Sequence, residues 1–283
     1  MITNVIPFGG TQKNTLPPRV LAVTSGKGGV GKTLISLNLA CAMSKQKKKI
    51  MIMDADLGLG NIDVMLGLKV RKNLSHVING EATLNDIVMR GPHQILVVPA
   101  SSGLAELTTL SLQTHKEVIN GFSDLIWPLD YVFIDTAAGI SPMVTVYTQA
   151  AHDVIMVVTE DPSSLADAYA MMKLMHQSAS TNKFYIIPSM VNTELAGKKL
   201  FEKLTKIASQ FLNIELKFLG SIPFDPLIKK AAMHHQLVVD LEGPSPAKLA
   251  FMQIAEKLIH LPRLTVPHGG LEFFLERFYS AKG

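Results

Sequence analysis

Seven short apolar runs punctuate the chain: VLAVTS (20–25), KIMIMD (49–54), QILVVPA (94–100), YVFIDT (131–136), DVIMVVT (153–159), KFYIIPSMV (183–191) and LKFLGSI (216–222). They are near-continuous rather than alternating in hydrophobicity, as strands buried on both faces are, and helical stretches separate them. This pattern predicts an α/β fold with a doubly wound, mostly parallel sheet. In SPAKLAFMQIAEKLIHL (245–261), Ser245 is placed to cap a helix, Pro246 to begin it, and Phe251, Ile254, Ala255 and Leu258 to face the core.

The ends read differently. Pro7, Gly9, Gly10, Pro17 and Pro18 mark residues 1–19 as a flexible arm, residues 20–262 as one domain, and residues 263–283 as a linker and terminal helix. In LEFFLERFY (271–279), Leu271, Phe274, Leu275 and Phe278 recur at helical spacing and predict one apolar face. Such a helix is ~13 Å long against a hydrocarbon core of ~30 Å, so it cannot span a bilayer. It is suited to reversible membrane contact, to a partner, or to packing on its own domain.

Composition narrows the classes. Hydrophobic residues make up 47% and charged residues 18%, enough for a large core. A net charge of +4 is mild, and the lysine run at 45–49 reads as the solvated end of the first helix, so direct DNA binding is not expected. Cys41 stands alone, which excludes an internal disulfide or a cysteine-built iron–sulfur site within one chain. The first residues lack a signal-peptide pattern, and the chain reads as cytoplasmic.

The chemistry concentrates at SGKGGVGKT (25–33). After a predicted strand, Gly26, Gly28, Gly29, Val30 and Gly31 form a loop whose amides can wrap phosphate oxygens. Lys32 can reach the β- and γ-phosphates, and Thr33 offers a hydroxyl to Mg²⁺. Asp135, at the end of YVFIDT, is the matching carboxylate for Mg²⁺. DADLGLGN (54–61) places Asp54 and Asp56 at the carboxyl edge of the sheet, where an aspartate can orient an attacking water.

KGGVGKT, DADLGLGN and FIDTAAG together resemble the deviant Walker A ATPases of the MinD and ParA group, within the SIMIBI class of P-loop NTPases. The resemblance implies ATP and ADP as ligands, Mg²⁺ as cofactor, slow hydrolysis and an ATP-dependent homodimer. It implies that Lys27 reaches the partner's nucleotide, that Lys32 is the ordinary loop lysine, and that Asp56 orients water while Asp54 lies near the metal shell. For the adenine it points to Ser189 or Asn192 after one strand and to Pro223, Phe224 and Asp225 in GSIPFD (220–225).

Further segments, among them LSHVINGEATLNDIVMRGP, TEDPSSLADAYAMMKLM and GGLEFFLERF, resemble the FleN/FlhG regulators of flagellar number. That resemblance implies a FleQ-type enhancer-binding activator and an FlhF-type GTPase as partners, with peripheral membrane or polar localisation. MinD-type division-site and ParA-type DNA-partition ATPases are the alternatives.

Overall fold

A computed structural model describes residues 17–57, 60–100, 111–179, 181–262, 267 and 270–280. Strand β1 (Arg19–Ser25) leads through the glycine loop into α1 (Lys32–Lys45), and β2 (Ile50–Ala55) follows. Three short helices, α2 (Ile62–Met65), α3 (Leu74–Ile78) and α4 (Leu84–Ile87), precede β3 (Met89–Arg90) and β4 (Leu96–Val98). Next come α5 (Leu112–Gly121), β5 (Tyr131–Ala138), α6 (Pro142–Ala150), β6 (Asp153–Val158), α7 (Pro162–Ala179), β7 (Lys183–Val191) and α8 (Glu194–Phe211). The chain continues through β8 (Glu215–Phe218), β9 (Ile222–Pro223), α9 (Pro226–Met233), α10 (Pro246–Ile259) and α11 (Leu275–Ser280).

The strand order is β3-β4-β2-β5-β1-β6-β7-β8, with β9 also on β7. Among the described residues only the β3–β4 pairing is antiparallel. Alternation explains the near-continuous apolar runs. On β1, Leu21 and Val23 face the layer of α1 and α10, whereas Val20 and Ala22 face the opposite layer. Cys41 is buried in that first layer, where loss of solvent pushes its thiol up to about 12.

Several boundaries differ from the sequence reading. β1 begins at Arg19, within the expected arm, because its guanidinium pairs with the buried Asp153 at 2.5 Å. The predicted strand 216–222 is two strands. Gly220, with φ 151, turns between them, and a Cβ there would stand 2.7 Å from Ile254. β3 was not predicted, being two residues long. Residues 1–16 lie outside the described residues.

The C-terminal segment departs most. Its helix covers Leu275–Ser280, not the whole of 271–279, and Phe274 has a left-handed backbone with φ 58. That conformation breaks the helical spacing expected from Leu271 and lets Phe273, outside the predicted face, be buried together with Phe274. Phe122 meets both rings edge-on, at 5.0 and 5.8 Å, and Phe278 meets the His152 ring edge-on at 5.7 Å. Leu271 packs on the same cluster, and Leu275 is half-buried. Glu272, outside the predicted apolar face, is buried against His152 Nε2 at 2.9 Å. Because the Val20 amide donates to His152 Nδ1 at 2.7 Å, the proton of neutral His152 sits on Nε2, facing Glu272. In the single chain, then, the apolar residues of this tail face their own domain.

Candidate functional site

The glycine loop emerges from β1 at the carboxyl edge of the sheet, where ligands of doubly wound folds bind. Gly31 has φ 91 and starts α1 with no side-chain cap, so the first amides of the helix have no side-chain acceptor from that position. At Gly26 a Cβ would lie 2.4 Å from the Asp167 main chain, so only glycine lets the loop pass so close to α7. Gly28 and Gly29 are exposed, whereas Val30 is buried and its carbonyl accepts from Ser189 Oγ at 2.9 Å. Amides on a helix N-terminus, with no side chain in the way, fit a bound phosphate.

Lys32 is 9% exposed. Burial holds its ammonium below the usual lysine range, against the pull of Asp135 and Asp56. Thr33 follows on α1 and donates to Asp135, and Ser36 Oγ, one turn further, donates to Asp135 Oδ1 at 2.8 Å. Burial raises the Asp135 carboxyl to about 6 even so. A hydroxyl and a carboxylate joined in this way suit a hard divalent cation. Among the described residues no group of three His, Cys, Asp or Glu could hold a metal ion alone. A cation here would complete its shell with water and phosphate oxygens.

Asp54 and Asp135 are directly opposite each other on β2 and β5. Burial, and then the Asp135 charge, raise the Asp54 carboxyl to about 7. The sequence reading put Asp54 near the metal shell. It stands beside Asp135 and turns its oxygens to its own loop, where Oδ1 accepts from the Asp56 amide at 3.1 Å and Oδ2 from Asn61 and Ile62 at 2.8 and 3.1 Å. These bonds fasten the segment that carries Asp56. Asp56 is half-buried, and its charge acts on both Lys32 and Asp135.

Lys27 points the other way. Its ammonium pairs with Asp161 and donates to Ser163 Oγ at 2.9 Å, both at the start of α7. In one chain, therefore, the first lysine of the loop is held in cis.

The residues expected around adenine are divided. Ser189 is buried and fastened to the loop, while Asn192 is exposed where β7 gives way to α8. Pro223 pairs with Val191 in the β7–β9 ladder, and Phe224 is 66% exposed beside it. The Asp225 carboxylate has partners within the fold. It caps α9 by accepting from the Leu227 amide at 2.9 Å and also accepts from Ser245 Oγ at 2.6 Å. Ser36 and Asp161 were not foreseen. Ser36, three residues past Thr33 and so on the same helix face, was the readable signal, whereas the Lys27 partner lies 134 residues away.

Comparison with known proteins agrees with this geometry. A family model described as ParA, NUBPL iron-transfer P-loop NTPase, matches residues 18–259. The antiactivator FleN of Pseudomonas aeruginosa is 41% identical over 261 residues, covering 92% of this chain and 93% of FleN. The flagellum site-determining protein YlxH of Helicobacter pylori is 33% identical over 289 residues, covering 100% of this chain and 96% of YlxH. Among solved structures, the septum site-determining protein MinD of Pyrococcus horikoshii, complexed with Mg-ADP, superposes with a TM-score of 0.71. That match, at 23% identity, covers 87% of this chain and 97% of MinD, and it bears on the fold.

Proposed function

This chain belongs to the ParA/MinD family of P-loop NTPases, and from that premise we propose that it is an Mg²⁺-dependent ATPase that pairs with a second copy on ATP and regulates flagellar number. The observation that carries the reading is the convergence of Lys32, Thr33, Asp135 and Asp56 beside a glycine loop at one sheet edge. Similarity to FleN and YlxH over nearly the whole chain supports the flagellar part.

The residues take distinct roles. The loop amides and Lys32 hold the phosphates, and Thr33 and Asp135 hold Mg²⁺, which when bound neutralises charge developing on the phosphoryl oxygens. Asp56 orients the attacking water. Lys27 leaves Asp161 and reaches the γ-phosphate of the second copy, so that the triphosphate becomes part of the interface. Loss of the γ-phosphate weakens the pair.

The ATP-bound pair is the form that binds a FleQ-type activator, and an FlhF-type GTPase acts with it. Residues 20–262 form the ATPase domain, and residues 263–283 a linker and tail. For the tail to touch a membrane it must first leave the Phe122–Tyr147 cluster. Two freed tails on one pair would then bind as a bivalent, reversible unit.

The test is to measure ATP turnover and capture of a purified FleQ-type activator, with ATP and with ADP. Slow Mg²⁺-dependent turnover and capture only with ATP are expected. Salt-sensitive, ATP-dependent binding to random duplex DNA without capture of the activator would favour a ParA-type partition role instead.

A further inference from the structure

One buried hydroxyl near the residues proposed to hold Mg²⁺ lies outside the loop spacing that ends at Thr33. Ser36 stands three residues further along α1 and is fully buried. Its neighbours Ile35, Leu37, Leu39 and Ala40 are buried and apolar, so the position belongs to the core. A hydroxyl taken out of water there destabilises the fold unless it is hydrogen-bonded, and alanine would favour the helix more.

The direction of its bond separates Ser36 from other helical hydroxyls of this chain. Thr145, Thr148, Ser178 and Thr205 each donate to the carbonyl four residues earlier on their own helix. That is the local bond such side chains make inside helices. Ser36 instead donates at 2.8 Å to Oδ1 of Asp135, 99 positions away on β5.

Asp135 needs such an anchor. It is 1% exposed and stands opposite Asp54 in the β2–β5 ladder, and the charge of Lys32 attracts it while that of Asp56 repels it. Thr33 also donates to it, but Thr33 is half-buried at the end of the loop and is the hydroxyl proposed to meet the cation. Ser36 sits about 4.5 Å further along the helix axis. With no exposed surface, it touches neither cation nor nucleotide. Its bond to Asp135 is therefore free of any duty to the ligand.

From this we infer that Ser36 is a positioning residue for Mg²⁺: it holds Oδ1 of Asp135 so that the carboxylate keeps one orientation as the cation and phosphates arrive. The inference rests on the Mg²⁺ reading of Thr33 and Asp135 above. Loss of a partner one bond removed from a metal typically weakens metal affinity roughly 10- to 100-fold. Nucleotide held by the loop amides and Lys32 without metal does not depend on that bond.

The test is calorimetric titration of the full chain with ADP, in EDTA and over a series of Mg²⁺ concentrations. It gives the Mg²⁺ concentration at half the full gain in ADP affinity. Ser36→Ala should raise that concentration roughly tenfold and leave ADP affinity in EDTA unchanged. Ser36→Cys keeps the side chain's volume but is a weak donor, so it should behave as the alanine variant does. An unchanged Mg²⁺ requirement in both variants, an equal loss of ADP affinity with and without Mg²⁺, or a loss confined to the alanine variant would overturn the inference while leaving the Mg²⁺ reading intact. Wild-type ADP binding that Mg²⁺ does not strengthen would overturn both.

Discussion

The ammonium of Lys27 and the carboxylate of Asp161 form an ion pair between the glycine loop and the start of α7. Hydrogen bonding from Lys27, and then from the Ser163 amide, holds the Asp161 carboxyl below the usual range. The pair keeps within one chain the lysine that is proposed to complete a second chain's site. Replacing Asp161 by Ala removes the competitor and should lower the ATP concentration at which pairs form. Both side chains are 43% exposed, so solvent screens them and the shift should be on the order of two- to fivefold. Light scattering against ATP concentration reads it, and an unchanged midpoint would show that the cis pair does not oppose pairing.

Asp56 sits on a loop fastened by Asp54, and its charge acts on Lys32. Asp56→Ala should cut ATP turnover by ~10²-fold or more while ADP still binds. Lys32→Ala should abolish nucleotide binding. Steady-state turnover beside calorimetry separates the two effects, and a hydrolytically active Asp56→Ala protein would remove this residue from its proposed role.

Phe273 is fully buried between Phe122 and Tyr147, and its amide donates to the Ala150 carbonyl at 3.2 Å. Phe273→Ala should cost about 3–5 kcal/mol if the tail unfolds with the domain. Urea unfolding provides the number. A loss close to zero, with early protease cleavage near residue 270, would mean that the tail leaves its groove independently of the domain.

The Arg19–Asp153 pair sets a pH dependence. Burial raises the Asp153 carboxyl, but the hydrogen bond and charge of Arg19, aided by Lys183, outweigh it, and the net shift is below the ordinary 3.8. A depressed carboxyl stabilises the fold above the unfolded value and loses that contribution as pH falls through the folded one. The stability gap between wild type and Asp153→Asn should therefore be full near neutrality and shrink below 3.8. Taking the difference cancels Asp54 and Asp135, whose raised values act in the opposite sense. Urea titrations across that range check it, and a gap independent of pH would contradict the assignment.

What the sequence made legible was what local pattern determines. The strand 183–191 was read at its observed bounds, and 153–159 within one residue, because fully buried strands are continuous in hydrophobicity and their ends are marked by polar residues. Lys32, Thr33 and Asp135 were legible because a loop spacing and a strand end fix them. The Lys27–Asp161 and His152–Glu272 pairs were not, since each joins residues more than a hundred positions apart and no periodicity encodes them. The tail misled for a related reason. Helical spacing from Leu271 to Phe278 is real, but packing against Phe122 selects a left-handed Phe274 and a different set of buried rings.

The central claim is that two copies share their bound triphosphates through Lys27, and light scattering in ATP and Mg²⁺ tests it most directly on two proteins, Asp56→Ala and Asp56→Ala with Lys27→Ala. The account predicts that the first is a dimer with ATP and a monomer with ADP, and that the second is a monomer with both. Dimers of equal stability in the two proteins with ATP would contradict it.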